Sequence, residues 1–91
     1  MLRCTDESLY TGVTLDVSKR YAEHRRNKGA RYTRSRGVVA LAYCVELDSK
    51  SRAYQVEYRI KQLAKNGKEL IVARQWGAQD LLAYLKMEEK W

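Results

Sequence analysis

Proline and phenylalanine are both missing from this chain of 91 residues, while histidine occurs once, cysteine twice and glycine five times. Two of these scarcities close off a class of protein. Two cysteines, Cys4 and Cys44, make no disulfide framework. One histidine, His24, with no CxxC or HxxxH spacing, excludes the usual four-ligand zinc site. No apolar run approaches the ~18 residues of a membrane span, and no charged-then-apolar leader opens the sequence. Repeats, linkers and low-complexity stretches are missing as well. The length accommodates one domain, 1–91, with a single modest core. The expectation is a reduced, cytoplasmic protein with no membrane partner, its two cysteines serving as small apolar residues at strand positions.

What the sequence does hold is positive charge, 18 Lys and Arg against 11 Asp and Glu for a formal net of +7. Hydrophobic residues make up 45% and are spread along the whole chain, which argues for a folded domain. The charge is not spread. From Val17 to Arg36 eight basic residues face one acid, Glu23, so this segment alone carries the chain's whole net charge. The remaining residues balance, ten basic against ten acidic. Concentration of this kind points to a polyanion partner, where an even sprinkling would point to solubility alone. Arg25, Arg26, Lys28, Arg31, Arg34 and Arg36 are the candidate phosphate contacts, and Tyr32 among them can stack on a base. The block lacks the Leu/Trp face of a membrane-surface helix, so nucleic acid is favoured over an anionic membrane.

Patterning predicts the order β-β-α-β-α-α-α, an α+β domain with a small three-stranded antiparallel sheet flanked by helices. Met1–Cys4 and Leu9–Val13 are short strands around a hairpin turn, Thr5-Asp6-Glu7-Ser8. A helix follows, opened by Thr14 as its cap or by Asp16 in its first turn, with Val17 and Tyr21 inward. Asp16, Arg20 and His24 form one stripe on a neighbouring face. The apolar run Val38–Leu47 reads as the strongest strand, long enough to be the sheet's centre. Asp48-Ser49 reads as a turn and cap, and Ala53, Val56, Ile60 and Leu63 recur at helical spacing after it. Asn66-Gly67 reads as a break, followed by short helices over Lys68–Arg74 and Ala78–Lys86 on either side of Trp76-Gly77.

Phosphodiester cleavage needs charge neutralisation, an activated water and a stabilised leaving group. The parts available are Glu57 on a helix edge, Arg20 on another helix, His24 one turn beyond it, and Tyr10 near Gly12. Taken together, Leu9-Tyr10-Thr11-Gly12-Val13-Thr14, Asp16 to Arg20, His24, Lys28 to Arg34 and Glu57-Tyr58-Arg59-Ile60-Lys61 closely resemble the GIY-YIG nuclease superfamily. The likeness is to its small stand-alone bacterial members and runs in order from about Met1 to Ala73.

The resemblance implies a metal-dependent DNA endonuclease, directed to single strands, nicks or branched DNA and serving repair or recombination. Tyr10 falls on the active-site tyrosine of the family's second motif, a candidate to activate water. Gly12 keeps the floor of the site open. Arg20 matches the arginine that contacts the scissile phosphate, and His24 a position filled by His or Tyr, a second candidate for proton transfer. Glu57 matches the metal-binding glutamate, and a lone carboxylate with waters and phosphate oxygens suits a single Mg²⁺ or Mn²⁺. An unperturbed tyrosine has a pKa of about 10 and a histidine about 6.5, so Tyr10 needs a nearby cation to serve as the base. The tyrosine of the family's first motif would fall just before Met1. The alternative is therefore a non-catalytic nucleic-acid-binding module that lost turnover with that residue.

Overall fold

The computed structural model describes residues 1–26 and 37–87, and their elements follow the order that the sequence predicts. Strands β1 (Leu2–Cys4) and β2 (Leu9–Tyr10) precede helix α1 (Val17–Arg25) and strand β3 (Val38–Leu41). Helices α2 (Lys50–Lys61), α3 (Lys65–Arg74) and α4 (Ala78–Tyr84) follow. The chain divides into two compact units, Met1–Cys44 and Val45–Trp91.

In the first unit the strands form one antiparallel sheet in the order β2-β1-β3. Leu2 pairs with Tyr10 on one side and with Leu41 on the other, and the ladder with β3 is irregular between Arg3 and Cys4. The predicted hairpin turn is present and held by its own side chains. Asp6 Oδ1 accepts from the Ser8 amide at 3.0 Å and the Ser8 hydroxyl at 2.5 Å, while Glu7 takes the left-handed region at φ 68°. Gly37, at φ +78°, leads into β3, and its carbonyl accepts from the Thr5 amide at 3.0 Å. Leu2, Cys4 and Val38 make the sheet's buried cluster, with Tyr10 and Tyr21 packed against it.

Several expectations change here. The centre of the sheet is the short β1, not the apolar run that begins at Val38. A strand needs a partner, and β3 ends at Leu41 because its ladder on β1 ends at Leu2; the amides of Ala42 and Tyr43 still reach the Met1 carbonyl. Cys44 consequently lies outside any strand and is exposed, whereas Cys4 is buried on β1 as expected. On α1 the cap is Asp16, whose carboxylate accepts from the Lys19 amide at 3.0 Å, while Thr14 Oγ1 accepts from the Asp16 amide. Tyr21 faces the core as predicted, but Val17 is exposed and the buried residue of this helix is His24.

In the second unit Ser49 caps α2 as predicted, accepting from the Arg52 amide at 3.0 Å, and Val56 and Ile60 are buried. The predicted break at Asn66-Gly67 is displaced: the chain leaves the helix over Gln62–Ala64, and both residues lie in the first turn of α3. Packing explains the glycine. A Cβ at Gly67 would stand 3.3 Å from the Tyr84 hydroxyl and 3.4 Å from Leu63 Cβ, so close approach outweighs poor helix propensity. Gln75 ends α3 in the left-handed region, Trp76 rests on Tyr84 with ring centroids 4.8 Å apart, and Leu81, Leu82 and Leu85 bury α4. No described helix is long and apolar enough to cross a membrane.

Ser49→Ala removes the cap hydrogen bond of α2 and is expected to cost about 1 kcal/mol of unfolding free energy in urea titration. Ile71→Ala, at a fully buried position, is expected to cost about 2–5 kcal/mol in the same measurement.

Candidate active site

The first unit brings Tyr10, Gly12 and His24 together. Tyr10 ends the edge strand β2, half-buried, and its ring lies 5.2 Å from that of His24, centroid to centroid, tilted by 46°. Gly12 makes room for that ring. A Cβ there would stand 3.1 Å from Tyr10 Cε2, tighter than ordinary contact, so a side chain at 12 requires the phenol to give by a few tenths of an ångström. His24 is only 1% exposed. Burial, with the Arg20 guanidinium acting in the same direction and Glu23 opposing, holds its pKa below 6.5. The imidazole is therefore neutral at pH 7 and can accept a proton.

Arg20 lies one turn before His24 on α1, with its side chain 41% exposed and Nη1 3.2 Å from Glu23 Oε1. A half-exposed pair of this kind is weak, so the guanidinium is available to a stronger anion. Arg25 and Arg26 are exposed at the end of α1. Arg25 Nη1 donates to the Tyr21 hydroxyl at 3.0 Å and lies 3.4 Å from the Val39 carbonyl, which ties α1 to β3. Lys28, Arg31, Tyr32, Arg34 and Arg36 fall outside the described residues.

Thr11, between Tyr10 and Gly12, was not singled out by sequence reasoning. Its Oγ1 is buried and has no hydrogen-bond partner among the described residues, a state that calls for a water or a ligand oxygen. A threonine in a polar loop gives no sign of this until its burial is known.

Glu57 belongs to the second unit, on α2, with its side chain 21% exposed and Oε2 3.4 Å from Lys61 Nζ. No group of three His, Cys, Asp or Glu side chains able to hold a metal occurs among the described residues. One accessible carboxylate fits a hard cation that keeps most of its waters, and not a caged transition metal. A cation at Glu57 would compete with the Lys61 ammonium.

His24 is the chain's single histidine, so its imidazole resonance is unambiguous by NMR. Titration of the native protein is expected to give a pKa below 6.5, returning to about 6.5 in urea. The unfolded chain then binds the proton more tightly. Stability is full above about pH 6.5 and is lost as the pH falls from there through the native pKa. A native pKa at or above 6.5 contradicts the burial argument.

A family model described as the GIY-YIG catalytic domain matches residues 1–70. The UPF0213 protein YhbQ of Salmonella arizonae is 42% identical over 86 residues, covering 94% of this chain and 86% of its own. A UPF0213 protein of Cronobacter sakazakii is 48% identical over 73 residues, 80% of this chain and 77% of its own. YhbQ of Escherichia coli O139:H28 is 42% identical over 89 residues, 98% and 89% respectively. No solved structure matches the chain. With the family model spanning most of its length, and with the motif residues Tyr10, Gly12 and His24 assembled on one another, the chain belongs to the GIY-YIG nuclease family.

Proposed function

We propose that the protein is a divalent-metal-dependent DNA endonuclease that hydrolyses phosphodiester bonds in single-stranded or branched DNA, in repair or recombination. The observation that carries this reading is the half-buried Tyr10 phenol resting on a buried, neutral His24. Burial supports an order between the two candidates for proton transfer. His24, at 1% exposure, is too enclosed to meet a substrate, whereas Tyr10 is only half-buried. Tyr10 is the group that meets the attacking water, and His24 is the proton acceptor behind it. Gly12 keeps the phenol in place by leaving the space it occupies.

Arg20 turns from Glu23 to the phosphate, where a guanidinium forms two parallel hydrogen bonds and offsets the charge that builds on the non-bridging oxygens. The unpartnered Thr11 hydroxyl is a further donor for a water or phosphate oxygen beside Tyr10 in the chain. Glu57 would hold Mg²⁺ or Mn²⁺, which when bound supplies a Lewis acid at the leaving oxygen.

Nicking of a supercoiled plasmid and of single-stranded circular DNA, with and without Mg²⁺ or Mn²⁺, tests the reading. The wild type is expected to cut only with metal and Glu57→Ala not at all. Tyr10→Phe is expected to lose about 10²–10⁴ in rate and Arg20→Ala about 10²–10³. A wild type inert on every DNA form, or undiminished cutting by Glu57→Ala, would overturn it.

A further inference from the structure

Most tyrosines in this protein do what a tyrosine in a small domain usually does. Tyr10 and Tyr21 pack against the strand cluster, Tyr43 is buried, and Tyr84 is covered by Trp76. Two do not. Tyr54 is 50% exposed and Tyr58 is 64% exposed, and both lie on α2, four residues apart and so on one stripe of the helix. At about 100° per residue, Lys50, Lys61, Tyr54 and Tyr58 share an arc of roughly 80°, well apart from the buried Val56 and Ile60. Glu57 sits between the buried face and this stripe.

The stripe itself carries Lys50 and Lys61, with Glu57 the one acid of α2 at its edge, while Arg52 is buried and Arg59 is turned to the Leu85 carbonyl. From Lys50 to Arg74 seven basic residues face two acids, an excess hidden in the whole-chain count because acids elsewhere cancel it. Both acids are already matched on their own helices, Glu57 by Lys61 at 3.4 Å and Glu69 by Lys65 at 3.3 Å. Aromatic faces left open to solvent between lysines form neither core nor a purely solvated surface. A protein partner would be met by an apolar patch with a neutral or acid-balanced rim; this one offers flat rings flanked by two lysines.

We propose that this face of α2 is a stacking platform for single-stranded nucleic acid, with Tyr54 and Tyr58 receiving unpaired bases and Lys50 and Lys61 the flanking phosphates. It rests on the reading that the chain acts on nucleic acid, and it deepens that reading. A strand seated there is carried past Glu57 on the same helix, and duplex DNA, whose bases are already stacked on one another, has no free base face to offer. Recognition is by ring and charge, so it is tolerant of sequence.

Fluorescence anisotropy of labelled oligothymidylate in EDTA, with the full chain, tests the platform without any cleavage. The Tyr54→Ala/Tyr58→Ala double variant is expected to bind about tenfold or more weakly, while its affinity for a blunt duplex stays as in the wild type. Tyr54→Phe/Tyr58→Phe retains the ring faces and the wild-type affinity. Lys50→Gln lowers the slope of log affinity against log salt by about 0.7. Both tyrosines are exposed, and circular dichroism verifies the fold of each variant. Unchanged oligothymidylate binding by the alanine variant overturns the proposal, and so does an equal loss on duplex. A wild-type dimer that the alanine variant disperses in sedimentation also overturns it, since the face would then pair with a second copy. Because no metal is present, a protein that never nicks DNA yet shows this loss refutes the nuclease reading and keeps the platform. Metal-dependent nicking with unchanged binding does the reverse.

Discussion

The contact between the Tyr10 and His24 rings organises the first unit. Helix α1 is nine residues long and polar on most of its surface, and His24 is its one buried side chain. A helix this short gains little from its own hydrogen bonds and depends on what it packs against. His24 meets Tyr10 at the end of β2, Tyr21 meets the Leu2–Cys4–Val38 cluster, and Arg25 reaches across to the Val39 carbonyl. The same contact sets the protonation of His24. Burial that docks the helix also keeps the imidazole neutral, so packing and proton affinity are two consequences of one placement. Gly12 favours this arrangement, because a Cβ there would stand 3.1 Å from the Tyr10 ring.

The second unit is built differently. Its helices are closed by aliphatic burial at Val56, Ile60, Ile71, Leu81, Leu82 and Leu85, and the Arg59 guanidinium fixes the end of α4 through the Leu85 carbonyl at 2.5 Å. This leaves the outer arc of α2 free of structural duty. Glu57 at its edge keeps a partly exposed carboxylate, and Tyr54 and Tyr58 keep their ring faces in water. A buried framework on one side of the helix thus leaves its other side open to solvent.

Much of this was legible in the residues. Spacing located every described element, the Asp6–Ser8 turn and the Ser49 cap followed from side-chain chemistry, and the motif order pointed to the family before any geometry was known. What the sequence hid was everything set by partners distant along the chain. The run from Val38 reads as a central strand because apolarity is visible and strand pairing is not. Gly67 reads as a break because propensity is visible and the Tyr84 hydroxyl beside it is not. His24 reads as one of several polar residues on a stripe, and only burial against Tyr10 marks it as the helix's anchor. Net charge misled in a similar way, since a balanced remainder concealed the positive excess on α2 and α3.

The central claim is that a buried, neutral His24 takes the proton that Tyr10 draws from water. The dependence of metal-assisted nicking rate on pH, compared between the wild type and His24→Gln, tests it most directly. The account predicts a wild-type rate that falls on the acid side with an apparent pKa below about 6.5, and a variant that is slower and lacks this limb. An acid limb identical in both proteins would contradict it.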